Sequence, residues 1–141
     1  MTRRYAEGTT VSVAASRAEI TGILAKHGVV RMAWGAAPEG DTLQFEIDGG
    51  SYRFFIAKPT VADIRRLYPT AYQAAPKLDG EWLRRWRAHL LLLKAKLEFA
   101  AAGDSTVLRE LMPFRVLTSG QTLEEAIADG GVPLLSAGTK R

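Results

Sequence analysis

Arginines and aromatic residues lie close together at several places along the chain. Proteins that bind single-stranded nucleic acid combine a positively charged groove with aromatic rings on which the bases stack. This pattern therefore predicts a surface that contacts phosphates and bases. The residues that we assign to this surface are Arg31, Arg53, Phe55, Arg65 and Arg66.

The tryptophans of the central segment have a different interpretation. Trp82 and Trp86 are spaced to lie on one apolar helix face, so we expect them to fill the core rather than to stack on bases. The neighbouring arginines then belong to a solvated helix start or to salt bridges. These arginines are Arg84, Arg85 and Arg87.

Residues with catalytic chemistry do not form a recognisable set. His27 and His89 are far apart in sequence, and neither lies in a metal-binding spacing. The glycines form neither a phosphate-binding loop nor a dinucleotide fingerprint, and the chain has no cysteine. The adjacent acids Glu124 and Glu125 begin a predicted helix, where carboxylates favour the helix dipole. We expect no catalytic residue, no metal and no cofactor, and a binding protein rather than an enzyme.

Composition is that of one globular domain. The chain has 141 residues, of which 47% are hydrophobic and 24% charged. The formal net charge is +4 and the pI is about 9.6, which is consistent with a polyanionic partner. Neither a secretory signal nor an apolar run long enough to span a bilayer is visible, so we expect a soluble, cytoplasmic protein without a membrane partner.

The elements that must position these residues are organised around a long helix predicted from Gly80 to Gly103. One face carries apolar residues that we expect to contact the core: Trp82, Trp86, Leu90, Leu93, Leu97 and Ala100. A second apolar stripe lies on roughly the opposite side. Because one sheet cannot cover both faces, we expect the second stripe to form an oligomer interface. Its residues are Ala88, Leu92, Ala95 and Phe99.

A hairpin is the clearest strand signal. If Gly49-Gly50 is its two-residue loop, Ile47 pairs with Tyr52, Phe45 with Phe54 and Leu43 with Ile56, all on one face. The other face then pairs Glu46 with Arg53 and Gln44 with Phe55. A further strand is predicted over residues 29–35.

Helix and loop signals complete the chain. Ser16 and Glu19 form a capping-box pattern for a first helix over about residues 15–27, and Thr122 and Glu125 repeat it. A short helix is expected at 61–67, and residues 58–80 are typical of a flap or binding loop. Residues 105–112 either extend the central helix past a kink at Gly103 or form a short helix of their own. Short strands are expected at 9–13 and 114–117. We expect a loose N-terminal arm (1–8) and a frayed tail (136–141).

The sequence thus predicts a single α+β domain over residues 1–141. Its antiparallel sheet of about four to five strands packs against the long central helix, with two short helices besides.

Several motifs are distinctive: YAEGT at Tyr5, SRAEI at Ser16, RFF at Arg53, RRWRAHLLLLKAKLE at Arg84 and GVPLL at Gly131. Together they resemble an uncharacterised family of small phage and prophage proteins over nearly the whole chain. Residues 103–122 depart from that family, which has a more acidic, aromatic stretch there. The family has no assigned activity, so the resemblance implies a phage setting within a host cell and carries over no functional residue.

Two functional hypotheses follow. The first is a non-enzymatic phage-type protein that self-associates through the second stripe and binds single-stranded nucleic acid, for annealing, protection or recombination. The second is an oligomeric adaptor, structural component or inhibitor of a host system, in which the charges are solubilising and a host or phage protein contacts Leu92 and Phe99. A small-anion sequestering pocket under residues 58–80 would use the same residue types.

Overall fold

The computed structural model describes residues 3–137 and has an α+β architecture, as predicted. An antiparallel sheet in the order β1-β2-β3 lies against two helices, α1 and α3, which cover one of its faces. The strands are β1 (Arg31–Ala37), β2 (Gly40–Ile47) and β3 (Gly50–Ala57). The helices are α1 (Val13–Lys26), α2 (Val61–Leu67), α3 (Ala75–Ala101), α4 (Val107–Leu111) and α5 (Leu123–Ala128), with a 3-10 turn at Met112–Phe114.

The sheet has three strands within residues 3–137, not four to five. Residues 9–13 contain no strand, because Ser12 accepts a hydrogen bond from the backbone N–H of Ala15 and begins α1. Residues 114–117 form two isolated bridges, Tyr52 to Arg115 and Val116 to Thr122. The 3-10 turn before them leaves too short an extended segment for a strand.

The β2–β3 hairpin turns one residue earlier than predicted. Asp48 and Gly49 occupy its loop with φ values of 49° and 74°, the left-handed conformation that a tight hairpin turn requires. Phe45 therefore pairs with Tyr52 and Leu43 with Phe54, instead of the predicted partners. Because this shift moves the pairing by two residues, the predicted face is preserved and all six apolar side chains are buried.

The core lies between this sheet face and the two long helices. Trp86, Leu90, Leu93 and Leu97 of α3 are buried, which confirms the core face, while Trp82 and Ala100 are half-buried. The other buried apolar residues of this cluster come from α1, the sheet and α4, among them Ile20, Leu24, Phe45, Phe54 and Leu111.

Both long helices begin earlier than predicted. The N-cap of α1 is Ser12 rather than Ser16. Ser16 lies within α1, and its side chain is buried in the protein. The α3 helix begins at Ala75 and runs through Asp79 and Gly80, because Pro76 in its first turn starts the helix upstream of that pair. The expected loop at 58–80 is correspondingly shorter, and α2 occupies the predicted residues. The second capping box is confirmed at Thr122 and Glu125.

The N-terminal segment lies against α3. The Arg4 guanidinium is 2.9 Å from the Glu81 carboxylate, and Arg84 donates a hydrogen bond to the backbone oxygen of Tyr5. The described part of the expected arm is therefore held by α3. The expected frayed tail extends from 136 to 141, and its last four residues lie outside the described residues.

Candidate functional site

The outer face of the sheet, defined as the face turned away from α1 and α3, carries three of the five predicted nucleic-acid contacts. Its residues stand in rows across the strands: Arg31, Glu46 and Ser51; Ala33, Gln44 and Arg53; Gly35, Thr42 and Phe55; Ala37, Gly40 and Ala57. Small side chains dominate the rows on β1. The β1 side of the face is therefore shallow, and the longer side chains of the face are those of Arg31, Glu46, Gln44, Arg53 and Phe55.

Phe55 is the exposed aromatic side chain of this face. Its ring is 48% exposed and lies over Gly40, where a Cβ atom would come within 2.6 Å of it. The ring also borders a cleft of about 510 Å³ lined by Thr42, Arg53, Phe114, Thr122, Glu124 and Glu125. A planar ligand can thus stack on Phe55 beside Arg53.

Arg53 is held in place by α5. Its guanidinium donates to the Glu125 carboxylate at 2.8 Å and to the Gly120 carbonyl at 2.9 Å. The hydrogen bond from Arg53 lowers the pKa of Glu125, which therefore stays ionised. The predicted Glu46–Arg53 pair is wrong, because the shifted register places Gln44 opposite Arg53. An incoming phosphate would have to compete with Glu125 for this arginine.

Arg31 lies on the same face, at the end farther from Ala57, and is less tightly paired with an acid than Arg53. Its side chain is 78% exposed, and its nearest acid is Glu46 on β2, at 3.9 Å. An ion pair this long and this exposed contributes little. Arg31 is therefore available to a phosphate at small cost.

Arg65 and Arg66 are not brought together with these residues. Both belong to α2, which lies beyond the Ala57 end of β3 and contacts α3 through the Asp63–Arg85 ion pair. Arg31 is six residues along the strands from that end, about 20 Å at 3.3 Å per residue. Arg66 is 3.6 Å from Asp63, while Arg65 is exposed. The five predicted contacts therefore form a sheet-face group and a separate pair.

A buried carboxylate gathers three arginines at the start of α3. Glu81 accepts hydrogen bonds from Arg84 and Arg85 at 2.9 Å and pairs with Arg4 at 2.9 Å. Burial by itself raises the pKa of Glu81, but the hydrogen bonds from these arginines outweigh it and bring the pKa to about 2. Arg85 also donates to Ala57 and to Asp63. The network joins the N-terminal segment, α2, α3 and β3, so these arginines are structural, as expected for Arg84 and Arg85.

Sequence reasoning did not identify this network. Glu81 lies inside the helix predicted from Gly80, but the sequence alone does not show that its side chain is buried or that Arg4 reaches its carboxylate. The cleft beside it is lined by Lys77 and Arg84 but also by Glu7 and Glu81. Its mixed charge does not favour an anion.

The tryptophans lie in the core region. Trp86 is fully buried and stacks on Trp34 at 5.3 Å between ring centroids. The guanidinium of Arg17 lies 5.1 Å from the Trp34 ring centre and 3.6 Å from the buried Asp41. Arg17 therefore links α1 to β1 through the Trp34 ring and to β2 through Asp41.

The second stripe of α3 is open. Leu92 is 40% exposed and Phe99 is 49% exposed, with Ala95 exposed between them and Ala88 half-buried. The flanking side of α3 contacts α1 through the Arg87–Glu19 and Lys26–Glu98 ion pairs. The stripe is thus available for a partner on the far side of α3 from the sheet.

The two histidines and the carboxylates form no cluster of metal ligands in the part of the chain that the structure describes. No group of three or more potential metal ligands occurs within residues 3–137. Burial lowers the pKa of His89, whose Nδ1 lies 2.8 Å from the Arg85 carbonyl. His27, which follows the last residue of α1, lies 3.7 Å from Glu98 of α3.

Comparison of the chain with protein-family models, curated proteins and solved structures finds no match in any of the three. The phage-family resemblance therefore stays a prediction. Among residues 3–137, none of the helices has the length and apolar content needed to cross a bilayer.

Proposed function

We propose that this chain is a non-enzymatic binding protein that takes single-stranded nucleic acid across the outer face of its sheet. The observation that carries the proposal is the exposed ring of Phe55 among the small residues Gly35, Gly40 and Ala57 of its own and the next row, with Arg53 in the adjacent row on the other side. Stacking on an aromatic ring serves any base, so the binding would have little sequence preference.

Electrostatics sets the expected character of this binding. Arg31 is nearly free, whereas Arg53 is paired with Glu125, and Glu46 also lies on the face. Each neutralised phosphate contributes a slope of about −0.7 to the logarithmic salt dependence for a single strand. We therefore expect a shallow slope from one or two phosphates, with stacking at Phe55 supplying most of the affinity.

The test is fluorescence anisotropy with a labelled oligothymidylate. Phe55→Ala should weaken binding by about 5- to 150-fold, the equivalent of removing one stacked base. Phe99→Ala is the matched control, because that ring is equally exposed but lies on α3. The proposal fails if wild type does not bind, or if both alanine variants bind like wild type.

A protein-interaction role is the second candidate, favoured by the exposure of Leu92 and Phe99 on one helix face. Exposed apolar side chains at this spacing form a stripe that a partner helix can cover. Here Leu92→Glu would abolish association while leaving oligonucleotide affinity unchanged. A phage setting, taken from the resemblance, is compatible with either role.

A further inference from the structure

We propose that a second copy of this chain pairs antiparallel with β1 along its free edge, so that two three-stranded sheets join into one of six strands. This inference does not depend on nucleic-acid binding. It rests on the state of the β1 edge and on the charges at its two ends.

The β1 edge is unpaired within the described residues. The sheet order β1-β2-β3 gives β1 one neighbour, and no backbone hydrogen bond outside that pairing involves residues 31–37 in the described part of the chain. The opposite edge differs, since Val116 donates a backbone hydrogen bond to Ser51 of β3 at 2.8 Å. One edge is thus partly covered and the other is open.

Edge strands normally carry features that block pairing with another chain, such as a proline, a bulge or a lysine within the strand. β1 has none of these. Its pairing with β2 is continuous from Arg31 to Ala37, and Arg31 at its first position is its one charged residue. Ala33, Gly35 and Ala36 are exposed and too small to obstruct an incoming strand. The edge is therefore a site for strand addition.

A second copy fits this edge in a definite register. Pairing β1 with itself over its whole length places Trp34 opposite the partner's Trp34 and Arg31 opposite the partner's Ala37. Outward-facing residues then oppose outward-facing residues, so the two outer faces become continuous. Trp34 is half-buried and would gain an apolar neighbour on the helical side.

Charge and apolar contacts at the strand ends favour the same register. In this register Arg31 lies opposite the partner's Ala37, the last residue of the strand, and the partner's turn at residues 38–39 follows directly. That turn carries Glu39, which is exposed and whose carboxylate has no ion pair among the described residues, so the long Arg31 side chain lies near an opposite charge. By symmetry this contact forms twice. Val30, which is 90% exposed, comes beside the same turn, next to the partner's Pro38. An extended peptide of another protein would have no reason to match these ends.

Sedimentation equilibrium without nucleic acid tests the pairing. We expect the wild-type chain to dimerise at micromolar concentrations and Arg31→Glu to weaken the dimer about tenfold, because two attractive contacts become repulsive. Glu39→Arg should weaken it similarly, and the double variant Arg31→Glu with Glu39→Arg should restore it. A wild type that stays monomeric throughout, or a dimer indifferent to both single variants, overturns the proposal.

Cross-linking tests the register. The chain has no cysteine, so introduced thiols report only on the chosen positions. An equimolar mixture of Ala33→Cys and Gly35→Cys chains should form a mixed disulfide on mild oxidation, because these positions oppose each other across the dimer. The Cβ atom added at Gly35 meets only ordinary contact with Thr42.

Ala57→Cys, exposed on the other edge strand, is the matched control and should stay largely reduced. Equal cross-linking of the control and the β1 pair would overturn the register. So would a dimer dissociated by Leu92→Glu whose β1 cysteines do not react, since it would assign the contact to α3.

Discussion

The guanidinium of Arg53 on β3 lies 2.8 Å from the carboxylate of Glu125 on α5. This contact fixes α5 beside the outer face of the sheet and holds the arginine next to the Phe55 ring. The Glu125 carboxylate is therefore a negative charge within the candidate site. A phosphate that bound beside Phe55 would have to displace Glu125 or share Arg53 with it.

We therefore predict that Glu125→Gln tightens binding to a single-stranded oligonucleotide. Glutamine preserves the capping box with Thr122 and removes the competing charge. Because an exposed ion pair contributes about 0.2–1 kcal/mol, the gain should be about 1.4- to fivefold, with a steeper salt dependence. Anisotropy titrations at two salt concentrations measure both.

Glu124→Gln is the matched control for this prediction. It removes the same charge from the same helix turn without touching Arg53. An equal gain in both variants would mean that net charge, rather than release of Arg53, governs the affinity.

The Glu81 network predicts acid sensitivity. The folded-state pKa of Glu81 is about 2, below its ordinary value of 4.5. The contribution of ionised Glu81 to the free energy of unfolding is therefore complete above about pH 4.5 and is lost as the pH falls towards 2. At 1.36 kcal/mol per pKa unit, this contribution is about 3 kcal/mol. Urea unfolding from pH 7 to pH 2 should show this loss.

Other carboxylates contribute to the same pH profile, since the pKa values of Asp63, Glu98 and Glu125 are also lowered. Glu81→Gln isolates the network. At pH 7 the variant should be less stable by about 3–5 kcal/mol, because three arginines lose their shared anion. Its deficit should shrink as the pH falls towards 2. A constant deficit at all pH values would contradict the assignment.

Two glycines should respond to alanine in opposite directions. Gly49 holds a φ of 74° in the hairpin loop, so Gly49→Ala should destabilise the fold by about 1–2 kcal/mol. Gly80 lies inside α3 with nothing near the position of a Cβ atom, so Gly80→Ala should stabilise by about 0.5–1 kcal/mol. Thermal and urea unfolding of the two variants provide the measurement.

The hairpin loop at Gly49 shows what the sequence could and could not predict. Alternation along the hairpin determines which side chains face the core, and that prediction is confirmed. It does not determine the turn, because a shift of two residues preserves every face. Gly49-Gly50 and Asp48-Gly49 both satisfy the alternation. The positive φ values at Asp48 and Gly49 identify the second as the loop.

The candidate site was predictable only in part. Outward exposure of Arg31, Arg53 and Phe55 follows from alternation within each strand. The neutralisation of Arg53 by Glu125 does not, since it joins residues on separate elements. The grouping of Arg4, Arg84 and Arg85 on Glu81 likewise depends on tertiary contact between the N-terminal segment and α3. Local patterns carry no information about such pairs.

Two adjacent leucines on α3 test whether the second stripe is covered in solution. Leu93 is 2% exposed in the core, whereas Leu92 is 40% exposed on the outer side. For an isolated subunit, Leu93→Ala should lower the free energy of unfolding by about 2–5 kcal/mol, and Leu92→Ala should lower it by less than about 1 kcal/mol. Urea unfolding at several protein concentrations measures both. A large, concentration-dependent cost for Leu92→Ala would instead mean that a second copy covers the stripe, because burial in a dimer is lost on dilution.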